Sequence, residues 1–301
     1  MPIKFFIGLV SFSLSLFAIL LNLLIFIPVF RLAFVSKKST IYIIAFFNII
    51  SDLLQLSITC FHLSASIMAD RYVLSGERLN FTNLLLTGVF IMAWYLESLV
   101  QIVMAVNRFV VITLNKKDIF TFKTTIIIFV FLIPIPVFSA ICTQYIFPCC
   151  QLIADHQVMS YMLINIEGLY SYSNLMIVFY DVFCTVISSI CYIFVFNSIR
   201  TENRAISSAN VKKNRSHQDI KYLFHFVFIS IFYIFTWCSF EFLPFIVPDS
   251  QLEWFGVTNI LLSLNCSSNS IIYLTMNREV QNILKCPWIQ FKKKNVSVTT
   301  F

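Results

Sequence analysis

Seven long apolar runs, separated by short polar and basic stretches, dominate the chain. They cover roughly residues 5–30, 40–66, 84–112, 124–147, 175–196, 222–247 and 255–276, and they leave a polar tail, 277–301. A helix needs ~20 mostly apolar residues to cross a bilayer. A barrel strand needs only ~10, so the pattern predicts helices. The first run carries no charge and is bulky throughout. A signal peptide has an apolar region of only ~7–15 residues, so a retained first helix is expected. No internal repeat appears, and the longest connections, about 148–174 and 197–219, hold no second domain. The predicted fold is a single-domain, all-α membrane protein, a seven-transmembrane helix bundle spanning residues 1–301.

Composition agrees. The chain is 59% hydrophobic and 17% aromatic, with 34 Phe, and only 12% charged, where a soluble domain carries about 25% charged residues. The formal charge of +7 raises the question of nucleic acid. The basic residues, however, lie in loops between apolar runs, where they orient a membrane protein. A lipid bilayer, not nucleic acid, is the expected partner. Of 21 Lys and Arg, only Lys4, Arg71 and Arg78 fall on one side. The other side holds, among others, Arg31, Lys37, Lys38, Arg108, the stretch from Arg200 to Lys221, and Lys292-Lys293-Lys294. The bias predicts an extracellular amino terminus and a cytoplasmic tail. The sequon Asn80-Phe81-Thr82 then lies outside as a glycosylation site, while Asn214-Arg215-Ser216 and Asn295-Val296-Ser297 lie inside and stay bare. None of the nine cysteines has zinc-site spacing, and no cofactor is expected. The adjacent Cys149 and Cys150 lie in a loop, where oxidising chemistry is expected. Cys286, ahead of Lys292-Lys293-Lys294, is a site for palmitoylation; the alternative is an unmodified thiol.

Four acids fall within the runs: Asp52, Glu97, Asp181 and Glu241. Ionisable groups at membrane depth are costly and mark function. Glu97 precedes Arg108 by eleven residues, about 16 Å of helix, which places it near mid-membrane. Asn22, Asp52, Glu97 and Asn265 are predicted to form an intramembrane polar cluster, with Asn269 on the same face as Asn265. Two carboxyls in one apolar site cannot both ionise cheaply; one keeps a proton, or a cation sits between them. Asp181 and Glu241 each lie about 10 Å below the outer surface, at a level rich in aromatics. Phe90, Trp94, Asp181, Trp237 and Glu241 are the candidates for a ligand pocket. The plainer alternative is that these aromatics are interfacial belt and core.

Several short motifs then carry a resemblance. Asn107-Arg108-Phe109 closes the third run, Asn269-Ser270-Ile271-Ile272-Tyr273 closes the seventh, Asn22 and Asp52 anchor the first two, and Asn277-Arg278-Glu279-Val280 follows the last. In order and spacing the chain resembles a rhodopsin-like G-protein-coupled receptor, and is most similar to the nematode serpentine chemoreceptors of the Srx class. The resemblance implies a non-enzymatic chemosensory receptor in the plasma membrane, with a small-molecule ligand and a heterotrimeric G protein as partners. It implies coupling through Asn107, Arg108 and Phe109, a helix-seven switch at Asn269 and Tyr273, and a short cytoplasmic surface helix after the seventh segment. Some positions depart from the pattern. No cysteine stands at the outer end of the third run. Trp237 and Pro244 are seven apart instead of two. Asn107 replaces the acid beside Arg108, so restraint of that arginine is expected from Glu202 or Asp219. The rival from another class is a polytopic transporter or channel using the intramembrane acids. Light sensing through a Schiff base is excluded by the lack of lysine in 255–276.

Overall fold

Hydrocarbon offers no partner to a backbone N–H or C=O, so an apolar chain that enters it must pair those groups internally. The computed structural model describes residues 2–74, 76–116, 118–164, 166, 168–205, 210–248 and 250–285; the side chains of Pro2 and of residues 202–227 are outside the description. The helices are α1 (Pro2–Phe30), α2 (Ile41–Ile58), α3 (Ala65–Ala69), α4 (Phe81–Arg108), α5 (Phe122–Leu132), α6 (Pro134–Ile141), α7 (Tyr172–Ala205), α8 (Asn210–Ile246), α9 (Gly256–Met276) and α10 (Arg278–Lys285). π-helical turns, Arg31–Val35, Thr59–Ser64, Phe109–Thr113 and Cys142–Ile146, extend α1, α2, α4 and α6. With these turns, six helical stretches among the described residues are long and apolar enough to cross a membrane.

The distribution of side chains is that of a protein whose solvent is lipid. Phe17, Phe131, Phe179 and Phe235 are exposed, while Asn22, Asp52, Gln55, Glu97 and Asn265 are buried. Polar groups in lipid seek partners on neighbouring helices. The most enclosed span is α4, which packs against α2, α6 and α7, while α1 packs against α2 and α9. Two apolar clusters fill the interior. One lies around Ile43, Ile49, Val100 and Tyr273, the other around Leu56, Tyr95, Leu262 and Cys266.

Three features differ from the plain reading of the runs. The fourth run is broken between Leu132 and Pro134, because proline has no N–H to donate and its ring crowds the preceding turn. Helices α7 and α8 extend to Ala205 and from Asn210, beyond the apolar stretches 175–196 and 222–247. Hydropathy marks where lipid ends, not where the helix ends. Finally α9 falls outside the apolar set. It carries Asn259, Ser263, Asn265, Ser267, Ser268, Asn269 and Ser270, all buried against other helices.

A hairpin that the runs do not predict crosses one end of the bundle. Strands β1 (Leu152–Asp155) and β2 (Ser160–Leu163) pair antiparallel, Leu152 opposite Leu163 and Asp155 opposite Ser160. Side chains of the helices fix its backbone. Gln144 Nε2 donates to the Leu152 carbonyl at 2.9 Å and Gln144 Oε1 accepts from the Leu152 N–H at 2.9 Å. Asn83 donates to the Ala154 carbonyl at 3.2 Å, and Asn259 to the Met159 carbonyl at 2.7 Å. Cys149 and Cys150, just before the hairpin, are joined to each other.

Candidate functional site

The polar cluster at the bundle centre is built by amides around two acids. Glu97 Oε2 accepts from Gln55 at 2.8 Å, and Oε1 accepts from Asn265 at 2.8 Å and from Gln101 at 3.3 Å. Asp52 Oδ2 accepts from Asn48 at 2.9 Å and from Asn269 at 3.4 Å. Asn22 donates to the Cys266 carbonyl at 3.0 Å and accepts from the Ser270 hydroxyl at 2.7 Å. These bonds form three groups that meet on α9, and through it they tie α1, α2 and α4 together. Ligand atoms of Asp52, Glu97 and Cys266 lie within 4.8 Å of one another, and all three residues are buried. Among the described residues neither acid has a basic ion-pair partner.

Toward the hairpin end, a cavity of about 430 Å³ opens between α4, α7, α8, α9 and the hairpin. Phe90, Trp94, Asp181 and Glu241 line it; Trp237 packs in the adjoining apolar cluster and does not. Asp181 Oδ1 accepts from Trp94 Nε1 at 2.9 Å and from the Tyr233 hydroxyl at 2.6 Å. The Tyr233 oxygen lies 2.6 Å from the Ser98 hydroxyl in turn. Several residues that shape the cavity gave no signal in the apolar pattern: Tyr161 stacks on Phe90 with ring centroids 3.8 Å apart, and Ser160 bonds Thr258 at 2.7 Å. Both belong to the hairpin. Tyr180, at the same sequence level as Asp181, faces away, stacking on Tyr95 and bonding Ser139.

Above the cavity a charged latch holds the hairpin. Arg78 Nη2 lies 2.8 Å from the buried Asp155 carboxylate, and the Tyr72 hydroxyl donates to Asp155 at 3.1 Å. Lys4 pairs with Asp70, and His156 sits 3.8 Å from Asp70 with its ring edge-on to Tyr72. The hydrogen bond from Lys4 holds the Asp70 carboxyl below its ordinary range. Burial, aided by the charge of Lys4, lowers the His156 pKa despite the nearby Asp155 and Asp70. Asn80 caps α4, its side chain accepting from the Thr82 N–H at 3.0 Å.

At the opposite end of α4, Arg108 is half-buried within electrostatic range of Tyr192 on α7, and Asn107 is buried. Phe109 contacts Phe194 at a centroid distance of 5.8 Å. Tyr273 is buried in the neighbouring apolar cluster. Helix α10 is docked on this end. Its Val280 and Ile283 are buried, Asn277 caps its first turn, and Glu279 accepts from the Tyr42 hydroxyl at 2.7 Å and pairs with Lys38 at 2.6 Å. Glu202, Asp219 and Cys286 lie outside the described side chains.

A bundle of apolar helices with an aromatic, acid-lined cavity at one end and an arginine at the other end of the same helix has the plan of a membrane receptor. The family model described as serpentine type 7TM GPCR chemoreceptor Srx matches residues 12–277, and the chain belongs to that family. A comparison with the curated proteins found no match. The family is one of chemosensory G-protein-coupled receptors, a multi-pass membrane class, and does not favour the transporter reading.

Proposed function

We propose that the protein is a plasma-membrane receptor for a small molecule, with its amino terminus and hairpin outside and Arg108, α10 and the tail in the cytoplasm. The carrying observation is the disposition of α4. Trp94 lines the cavity and Arg108 ends the same helix fourteen residues on, about 21 Å away at 1.5 Å per residue. A ligand in the cavity touches α4, α7 and α8 together, so it favours one arrangement of those helices by its differential affinity alone. Asn107, Arg108 and Phe109 then meet a heterotrimeric G protein, and Asn269 and Tyr273 act as the switch on the seventh helix. Counting α9, the chain crosses the membrane seven times. Asn80 carries a glycan and Cys286 a palmitoyl chain.

The test is Arg108→Ala. The variant should reach the cell surface at the level of the parent, keep its ligand binding and lose second-messenger output. Intact output would remove Arg108 from the mechanism. A glycosidase-sensitive band that survives Asn80→Gln would overturn the orientation.

A further inference from the structure

We infer that the cavity at the hairpin end takes a small organic cation, with its ammonium group at Asp181 and Glu241 and its apolar body against Phe90, Trp94, Tyr161 and Phe240. The inference rests on the reading of that cavity as the receptor's ligand site and adds the chemical class of the ligand.

The first ground is charge. Asp181 is 1% exposed and lines the cavity. Its Oδ1 is an acceptor for two donors at once, the Trp94 indole and the Tyr233 hydroxyl. Two donors converging on one oxygen is the arrangement that suits a carboxylate. Glu241, from α8, lines the same space within electrostatic range of Asp181. Two carboxyl groups thus face one cavity. The lining holds no Lys, Arg or His, and among the described residues neither acid has an ion-pair partner. A buried charge left without its counter-charge is strongly unfavourable, and a counter-charge that arrives with the ligand removes that cost. Two carboxyls in one apolar site cannot both ionise cheaply without a cation between them, so a ligand that brings the positive charge gains what a neutral one does not, and an anionic one is repelled.

The second ground is the aromatic wall. Phe90 and Tyr161 stack, and Phe240 meets Trp94 edge-on with centroids 6.1 Å apart. Aromatic faces attract ammonium groups, most strongly where water is excluded. A cavity of about 430 Å³ falls within the range of roughly 300–1,000 Å³ that holds small ligands. The acids orient the cation and the rings hold its body, so an alkyl or aryl ammonium satisfies both at once.

The test uses full-length receptor in detergent or nanodiscs and a library of matched pairs. Each pair joins an ammonium to its neutral isostere, for instance 2-phenylethylamine with 2-phenylethanol and choline with 3,3-dimethylbutan-1-ol, and phenylacetate serves as an anionic member. Thermal stabilisation and displacement are read directly, without a G protein. Cationic members should bind at least about tenfold more tightly than their isosteres, and Asp181→Asn or Glu241→Gln should remove that margin. Asn at 181 still accepts from Trp94 and Tyr233, so the variant should fold. The inference is overturned if neutral or anionic members bind as well as cations, if no cation binds, or if both variants leave cation binding unchanged. Cation binding with no second-messenger response would instead sink the coupling reading and leave this one standing. A response driven by neutral ligands and lost in Arg108→Ala would do the reverse.

Discussion

Replacing Glu97 with leucine should unsettle the whole bundle, while replacing it with glutamine should not. The carboxylate accepts two bonds of 2.8 Å, from Gln55 and Asn265, and a longer one of 3.3 Å from Gln101. The donors stand on α2, α9 and α4 itself. Leucine fills most of the volume but leaves these donors without an acceptor. Interhelical hydrogen bonds in membrane proteins contribute about 0.6–1.7 kcal/mol each, so losing the two short ones costs about 1–3 kcal/mol. At roughly 2–4 °C per kcal/mol for a chain of this order of size, the unfolding temperature should fall by about 2–12 °C. Glutamine differs because its carbonyl still accepts, and the Gln55 and Asn265 side-chain oxygens, both buried without a donor, can receive its new N–H. Its cost should stay under about 1 kcal/mol. Size-exclusion after heating, or dye-reported melting of purified receptor, separates the two variants. Equal losses for leucine and glutamine, or none for leucine, would refute the argument that amide donors around Glu97 bind these helices together.

Two further outcomes follow from the ends of the bundle. Tyr42→Phe removes the bond to Glu279 and the acceptor for Asn277; at about 1 kcal/mol for each of the two bonds, hydrogen exchange in Arg278–Lys285 should accelerate about thirtyfold while α2 keeps its protection, and unchanged exchange would mean that the Tyr42 hydroxyl does not hold α10. Burial lowers the folded pKa of His156 below its ordinary 6.5, so the undocked hairpin takes up a proton more readily than the docked one, and the latch is firmest above pH 6.5 and weakens as pH falls through that value. Exchange at 152–163, corrected for the intrinsic rate, should rise on acidification from about pH 7.5 to about pH 5.5, and His156→Gln should flatten that rise; an identical rise in the variant would shift the effect to Asp70, Lys4 or Asp155.

The parts of the site that were legible in the sequence are those whose signal is local. An Asp or Glu inside an apolar run stands out against its neighbours, and helical spacing then puts Asn265 and Asn269 on one face. That is how Asp52, Glu97, Asp181 and Glu241 could be singled out before any contact was known. The hairpin had no such signal. Its strands are four residues each, too short for alternation to register, and they are held by Gln144 from the turn just before them and by Asn83 and Asn259 from distant helices. Tyr161 and Ser160 therefore reach the cavity through tertiary contacts that no window of sequence contains. Trp237 is the converse case. Its size and depth suggested the pocket, but the rotation of α8 turns it into the adjoining packing, and Phe240 lines the cavity instead. The unbroken apolar character of 124–147 conceals the interruption at Pro134.

The polarity of α9 bears on how the chain is made. Ser263 meets Ser15, Asn265 binds Glu97, Asn269 binds Asp52 and Ser270 binds Asn22. Each contact is with a segment synthesised more than 150 residues earlier. A segment with three asparagines and several serines gains little from entering lipid by itself. Its residence in the bilayer is conditional on the earlier helices, whose polar groups are in turn completed by it. Stable insertion of the last segment should therefore wait on correct assembly of the helices that carry Ser15, Asn22, Asp52 and Glu97, which are its partners.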